Sequence, residues 1–346
     1  MAKVPSSIIG IDIGRYSLKS VLLQRRAPGR LAITHFGSYV PAAPPNDAES
    51  LGRSLKALIK DMGASAKACA VSVSSPDALL RIIEQPETPT EILRDALRLN
   101  GMALLNQDCR SFVLDCDRVG SIAGEANSGS VPQHKYLVGG LPRKEVEMVG
   151  GVVEHTLSPV LSLQIAPISA LNAFEFAKPD VFNNDPFFLL DIGHFTSTVL
   201  VGARRELMLV RSIDFGGRPL LEALCGLSGE SRDQVIGALE QEDEVMVEYT
   251  RVSMGSLTRE ISSSMGFFEH NHEQTISKIF VSGGPAKSKT FLKVMSEELG
   301  MPCESWAAGD SCENAVPSDR RQQWDEEAPD YNVACGAAAE VLNASR

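Results

Sequence analysis

The sequence predicts an α/β fold of two similar lobes that face each other, with a smaller unit inserted in the first. Three observations predict it. The chain has 346 residues, beyond the size at which one hydrophobic core stops growing. One pattern occurs twice, about half a chain apart: an apolar strand, an Asp-Ile-Gly turn, a few polar or small residues, and a returning apolar strand. A third segment reads as a buried strand, a glycine pair and a helix.

The first copy runs Ile8-Ile9-Gly10-Ile11-Asp12-Ile13-Gly14, then Arg15 to Lys19, then Ser20 to Leu23. The second runs Phe187 to Leu190, Asp191-Ile192-Gly193, His194 to Thr198, then Val199 to Val201. Each reads as a β-hairpin. Gly14 and Gly193 have access to backbone angles closed to other residues. A tight turn there points consecutive N–H groups into a concavity that suits phosphate oxygens. An aspartate at the strand end can hold hydrated Mg²⁺, which prefers carboxylate oxygens and keeps its water. A single Asp-Ile-Gly is only a turn, but two copies at half-chain spacing suggest a grip on terminal phosphates from both sides. Ile279 to Ser282 followed by Gly283-Gly284 and a helix over Thr290–Leu299 adds a site for a nucleotide's phosphate or ribose. Gly216-Gly217 is a fourth glycine turn at a strand end.

Composition narrows the function classes. Hydrophobic residues make up 43% and charged residues 22%, which excludes a mostly disordered chain. The net charge of −11 argues against nucleic acid and against unassisted binding to an anionic membrane. Seven cysteines without a C-x-x-C pair read as reduced thiols. His270-Asn271-His272 is the one close histidine pair, and nothing nearby completes a metal site. No apolar run is long enough to span a bilayer, and the N-terminus lacks a signal-peptide pattern, so a cytoplasmic location is expected.

The order of these parts resembles the actin, Hsp70 and sugar-kinase ATPase superfamily. Within it the chain is similar to the PilM family of type IV pilus assembly proteins, relatives of the division protein FtsA. The resemblance covers nearly the whole chain and is strongest at Ile8–Lys19, Tyr136–Phe174, Phe188–Gly217 and Leu257–Leu299; Asn332 to Ala338 fits the closing helix. It implies an actin-like (ribonuclease-H-like) fold: a first lobe over 1–84, an FtsA/PilM-type inserted subdomain over 85–166, a return segment over 167–186, and a second lobe over 187–346. Thr90 is expected to cap a helix through Arg98, and Ser121–Gln133 and Pro41–Asn46 are expected as loops.

The resemblance further implies a cleft for ATP with Mg. Its contacts would be Asp12, Gly14, Arg15 and Lys19 in the first hairpin and Asp191, Gly193, Thr196 and Ser197 in the second. Gly216, Gly217, Glu260, Gly283 and Gly284 would complete it, with Asp12 and Asp191 holding Mg through water. Several positions depart from the family. Arg15, His194 and Phe195 replace small turn residues, and Phe195 points either into the cleft or into the lobe core. Near Pro167, where the family places acids, stand Gln164 and Ala166. Ala166 cannot act as a base, and a positioned base contributes about 10²–10⁴ in rate. Ser263 and Ser264 stand where relatives carry a base-stacking cation. A scaffold with weak or absent hydrolysis is expected, with nucleotide either a structural ligand or lost.

The partner implied is the cytoplasmic N-terminal peptide of a PilN-like inner-membrane protein, alongside other pilus platform proteins. The peptide would dock between inserted subdomain and first lobe, near Thr90–Leu105, and hold the protein at the membrane indirectly. An FtsA-like division protein, a secretion-system platform protein and a small-molecule kinase are the alternatives. The chain shows no basic amphipathic segment after Ala339 of the kind FtsA uses, and no acidic base in kinase context.

Overall fold

The computed structural model describes residues 5–121 and 133–343. Of the expected loop Ser121–Gln133, residues 122–132 lie outside the described residues.

β1 (Ser7–Ile13), β2 (Leu18–Ala27) and β3 (Arg30–Tyr39) form an antiparallel meander, and α1 (Ala48–Met62) leads to β4 (Cys69–Val73), parallel to β1. Next come β5 (Leu79–Pro86), α2 (Thr90–Leu105), β6 (Phe112–Ser121) and β7 (Gln133–Pro142), whose strands form a separate sheet in the order β5-β7-β6. α3 (Arg143–Thr156) and β8 (Val160–Ile165) return to the first sheet, with β8 parallel to β4. α4 (Ala166–Ala177) and α5 (Pro179–Asn184) enter the second lobe. It holds β9 (Pro186–Ile192), β10 (Ser197–Ala203), β11 (Glu206–Ile213), α6 (Gly217–Ser228), α7 (Arg232–Glu240), α8 (Glu244–His272), β12 (Ile279–Gly283), α9 (Lys289–Leu299) and β13 (Cys303–Ser305). β14 (Glu313–Asn314), α10 (Arg321–Glu327) and α11 (Asn332–Asn343) close the chain on the first lobe.

The duplication is explicit in the topology. The first sheet runs β14-β3-β2-β1-β4-β8 and the second β11-β10-β9-β12-β13. Five strands recur in the same spatial and chain order, with β8 answering β13. That equivalence is why β8, inside the stretch 85–166 drawn from the sequence, hydrogen-bonds to the first sheet. α3 follows it, packing Val149 and Val153 with Leu51 and Leu55 of α1.

α2 also differs in detail from the sequence reading. It starts at Thr90 without a side-chain cap, the Pro89 carbonyl accepting from Leu93 N–H at 2.9 Å. It runs past Arg98 to Leu105, broken at Asn100, where φ is −121°. α9 is capped by Ser288, whose hydroxyl accepts from Phe291 N–H at 3.2 Å.

Strand alternation decides which residues face the interior between the lobes. On β1, Ile9, Ile11 and Ile13 join the outer core with α1 and α3, while Ile8 faces inward. On β9, Phe188, Leu190 and Ile192 join the core with α6, α8 and α9, while Phe187 and Leu189 face inward. The inner core is shared: Ile8 and Phe36, Phe187 and Phe280, and the small faces of α4 and α11 (Ala173, Ala334, Ala338) pack together.

One side chain ties the end of the chain to the first lobe. Arg320 donates to the carbonyls of Phe36 at 2.9 Å and Asp61 at 3.0 Å, and its guanidinium lies 4.3 Å from the Phe36 ring centre. Arg320→Ala is expected to cost about 2–3 kcal/mol in urea unfolding, the sum of charge-assisted hydrogen bonds and ring contact. Arg320→Lys should recover less than half, because the fork geometry is lost; full recovery would show that charge alone matters.

Candidate functional site

Asp12 and Asp191 end the inward faces of β1 and β9, and both line a cleft of about 1080 Å³ between the lobes. Their surroundings repeat. Asp12 pairs in register with Lys19 on β2 and Ser72 on β4; Asp191 pairs with Thr198 on β10 and Ser282 on β12. The copies differ in how the carboxylates are satisfied. Ser282 donates to Asp191 Oδ1 at 2.7 Å, whereas Asp12 Oδ1 and Ser72 Oγ are buried without a hydrogen-bond partner.

Burial dominates the electrostatics. Asp12, 8% exposed, is pushed up to about 7 by desolvation; Lys19 opposes the rise and Asp191 adds to it. Asp191 is also raised, by burial first, with the Ser282 hydrogen bond and Lys19 opposing and Asp330 adding. Lys19 thus serves both carboxylates. Asp330 lies at the cleft wall in an ion pair with Lys287 at 2.6 Å, its other oxygen buried and unpartnered.

The turns repeat as well. Gly14 N–H donates to the Ser17 carbonyl at 3.2 Å and Gly193 N–H to the Thr196 carbonyl at 3.0 Å. Neither glycine has positive φ, contrary to the role expected for them. A Cβ would lie 2.6 Å from the Ser17 oxygen at Gly14 and 2.8 Å from the Thr196 oxygen at Gly193, so closeness of the turn demands glycine. Gly283 does need the left-handed region (φ 88°), with its Cα against the Ile192 carbonyl.

Arg15, Thr196, Gly217 and Gly284 line the cleft along with these residues. Ser197, Gly216 and Glu260 do not. Ser197 is buried and donates to the Phe215 carbonyl at 2.7 Å. Gly216 backs the second turn, where a Cβ would lie 2.6 Å from the His194 oxygen. Glu260 on α8 stands one residue behind the wall, ion-paired with Arg211, which does line the cleft. Where α8 does not, α7 presents a cleft face, through Arg232, Ile236 and Glu240 at i, i+4 and i+8, beside Leu220 and Leu221 of α6. The first α6 amides are taken by the second turn: Gly217 N–H donates to the Gly193 carbonyl and Arg218 N–H to the His194 carbonyl, both at 2.9 Å.

Phe195 settles at the cleft wall, not in the lobe core. The Arg15 guanidinium lies 4.5 Å and that of Arg218 5.4 Å from its ring centre. His194 is held below its ordinary value by partial burial first, then by Arg218, Arg232 and Arg15. Gln164 turns away from the cleft. Its carbonyl oxygen accepts from Ser169 (2.8 Å) and Asn172 (3.1 Å), and its amide donates to Ser162 (3.1 Å) and Glu340 (3.3 Å). Ile165, Ala166 and Pro167 form the wall beside it.

Sequence reasoning missed Ser72, Tyr16, the α7 face and the Lys287–Asp330 pair. Only α7 carried a signal, an apolar period interrupted by Arg232 and Glu240.

A second, smaller groove of about 350 Å³ lies on the inserted sheet. Glu91, Arg94, Asp95 and Arg98 of α2 face Phe112–Leu114 of β6, and Arg143 at the start of α3 closes one end. β6 is an edge strand of its sheet. Ile92, Leu99 and Met102 of α2 are exposed. Among the described residues no helix is long and apolar enough to cross a membrane.

Comparison with known proteins agrees with this architecture. Among curated proteins none matches the sequence. The solved PilM-PilN type IV pilus biogenesis complex contains a chain similar to this one, with a TM-score of 0.78 at 19% identity, over 97% of this chain and 98% of that one. The ethanolamine utilization protein EutJ from Carboxydothermus hydrogenoformans shares the fold more loosely, with a TM-score of 0.52 at 14% identity, over 98% of this chain and 91% of that one. The model of the family described as type IV pilus assembly protein PilM matches residues 10–341. Two actin-like lobes around a cleft, an inserted three-stranded subdomain and a family match over nearly the whole length carry one conclusion: this chain belongs to the PilM family of type IV pilus assembly proteins.

Proposed function

We propose that this protein is an actin-like docking scaffold of a type IV pilus machine, held at the inner membrane by the cytoplasmic N-terminal peptide of a PilN-like protein. The observation that carries the docking is the groove on the inserted subdomain between α2, β6 and Arg143. It combines a free sheet edge with the mixed charges of Glu91, Asp95, Arg94, Arg98 and Arg143. An extended peptide can add main-chain hydrogen bonds to such an edge while pockets beside it read its side chains. The similar chain was solved in a PilM-PilN complex, which supports that class of partner. The division into first lobe, inserted subdomain, return segment and second lobe belongs to the same proposal.

The cleft suits a nucleotide with Mg. Asp12 and Asp191 would hold the ion through water, with Lys19 close by; the orphaned oxygen of cleft-lining Asp12 fits a hydrated cation, which supplies donors and charge together. The turns at Gly14 and Gly193, with Arg15 and Thr196, would face the phosphates, and Gly284 with the α7 face would take the nucleoside. When bound, Mg would neutralise phosphate charge. Turnover is weak or absent in this reading, because Gln164 is fully engaged and Ala166 offers no base.

The test is titration of the synthetic N-terminal peptide of the PilN-like partner into the full-length protein. Arg98→Glu combined with Arg143→Glu is expected to weaken binding at least tenfold, leaving the unfolding midpoint within a degree. Unchanged affinity in that variant would refute the groove.

A further inference from the structure

The two hairpin turns touch each other across the mouth of the cleft. The Tyr16 ring stacks on the His194 imidazole with centroids 4.2 Å apart and planes 13° from parallel. Beside it Arg15 lies over the Phe195 ring at 4.5 Å, and His194 meets Phe195 edge-on, centroids 4.5 Å apart at 87°. The Tyr16–His194 and Arg15–Phe195 contacts each join a residue of the first turn to a residue of the second, and so one lobe to the other.

Local folding does not require them. The turns are closed by Gly14 N–H to Ser17 and Gly193 N–H to Thr196. Tyr16 is 49% exposed, and neither it nor Phe195 belongs to a hydrophobic core. Arg15 has no carboxylate partner among the described residues. Exposed side chains of this size lose rotamer freedom when they stack, so the contact has to be offset by what it joins. What it joins is the rim just beyond Asp12 and Asp191.

We infer that Tyr16–His194 and Arg15–Phe195 form a latch that joins the two lobes at the rim of the cleft and has to part whenever a ligand enters or leaves it. Lobe closure around an actin-type cleft needs attraction across it. Here the chain supplies that attraction itself, through an aromatic stack and a cation–π contact. Together these shift an open–closed equilibrium roughly tenfold toward closed. The latch is made of the chain's own side chains; only its effect on nucleotide exchange rests on the nucleotide reading above.

Two measurements on the full-length protein separate the two ideas. In amide hydrogen exchange, Tyr16→Ala is expected to speed exchange at its own turn, 14–17, and in the opposite lobe at 193–196, roughly threefold to tenfold. His194→Ala should do the same in reverse, and the double variant should add little to either. If Tyr16→Ala leaves 193–196 unchanged, there is no latch. In stopped-flow with a fluorescent ATP analogue and Mg, association and dissociation should both accelerate about threefold in Tyr16→Ala, the share of one of the two contacts. Acceleration of neither rate, with binding intact, also refutes the latch. If no variant binds the analogue, the nucleotide reading fails and the exchange data alone decide the latch.

Discussion

Asp12→Asn is expected to stabilise the ligand-free protein at pH 8 and to abolish Mg-dependent nucleotide binding. The Asp12 carboxyl is buried, one oxygen has no partner, and burial pushes it up to about 7. An unfolded aspartate titrates near 3.8. Because the folded-state value is the higher one, the folded protein holds a proton that the unfolded chain has lost between these values. Stability from this group is therefore fully present below pH 4, falls as pH rises toward 7, and stays low above it. About three pH units at ~1.4 kcal/mol each give a cost of about 4 kcal/mol at pH 8, which the neutral amide of Asn avoids. Melting curves of wild type and Asp12→Asn should nearly coincide at pH 4 and separate by several degrees at pH 8; a gap independent of pH would mean that the carboxyl is not buried as a charge. Binding runs the other way. A cation requires the ionised carboxylate, so MgATP affinity should rise as pH climbs from 6 to 8. Calorimetry should detect no Mg-dependent binding in Asp12→Asn. A site that burdens the empty protein and is relieved by a divalent ion is what a ligand-binding scaffold would carry.

Gly336→Ala is expected to destabilise the protein by more than the 1–3 kcal/mol typical of overpacking. α11 is wedged between β1 and α4. A Cβ on Gly336 would fall on the Ser169 carbonyl oxygen and within 2.8 Å of the Ala173 amide nitrogen, both main-chain atoms of α4. No rotamer change relieves such a clash. Moving α11 away drives Ala334 toward β1 at Gly10, where the Ala334 carbonyl already occupies the place of a Cβ. Gly226→Ala in α6 is the matched comparison, since nothing lies within 4 Å of its added Cβ. It should be neutral or stabilise by up to about 1 kcal/mol. Chemical denaturation of the two variants checks both; equal midpoints would show that the α4–α11 contact can slide.

How much of this was legible follows from the range over which each interaction acts. The hairpins were readable because strand period and turn chemistry are local. From Ile8-Ile9-Gly10-Ile11-Asp12 the alternation already assigns Asp12 to the face opposite Ile9 and Ile11, and the second copy does the same for Asp191. The choice between α7 and α8 was not local. Both helices carry an acid on an amphipathic surface, at Glu240 and Glu260, and docking on the second sheet turns the first toward the cleft and leaves the other with Arg211. Gln164 had the right chemistry for the cleft, but Ser169, Asn172 and Glu340 turn it away, and Glu340 lies on α11, which reaches it only after packing. Gly216 looked like a phosphate turn, yet it makes room for the second hairpin.

The sequence by itself determined the duplication, the two inward aspartates, the glycines that close the turns, and the family. Tertiary structure decided what meets across the cleft: Tyr16 on His194 and Arg15 on Phe195. Those contacts join residues about half a chain apart, and no local period records them. They exist because α4 and α11, packed through Gly336 and alanines, set the spacing and angle of two rigid sheets.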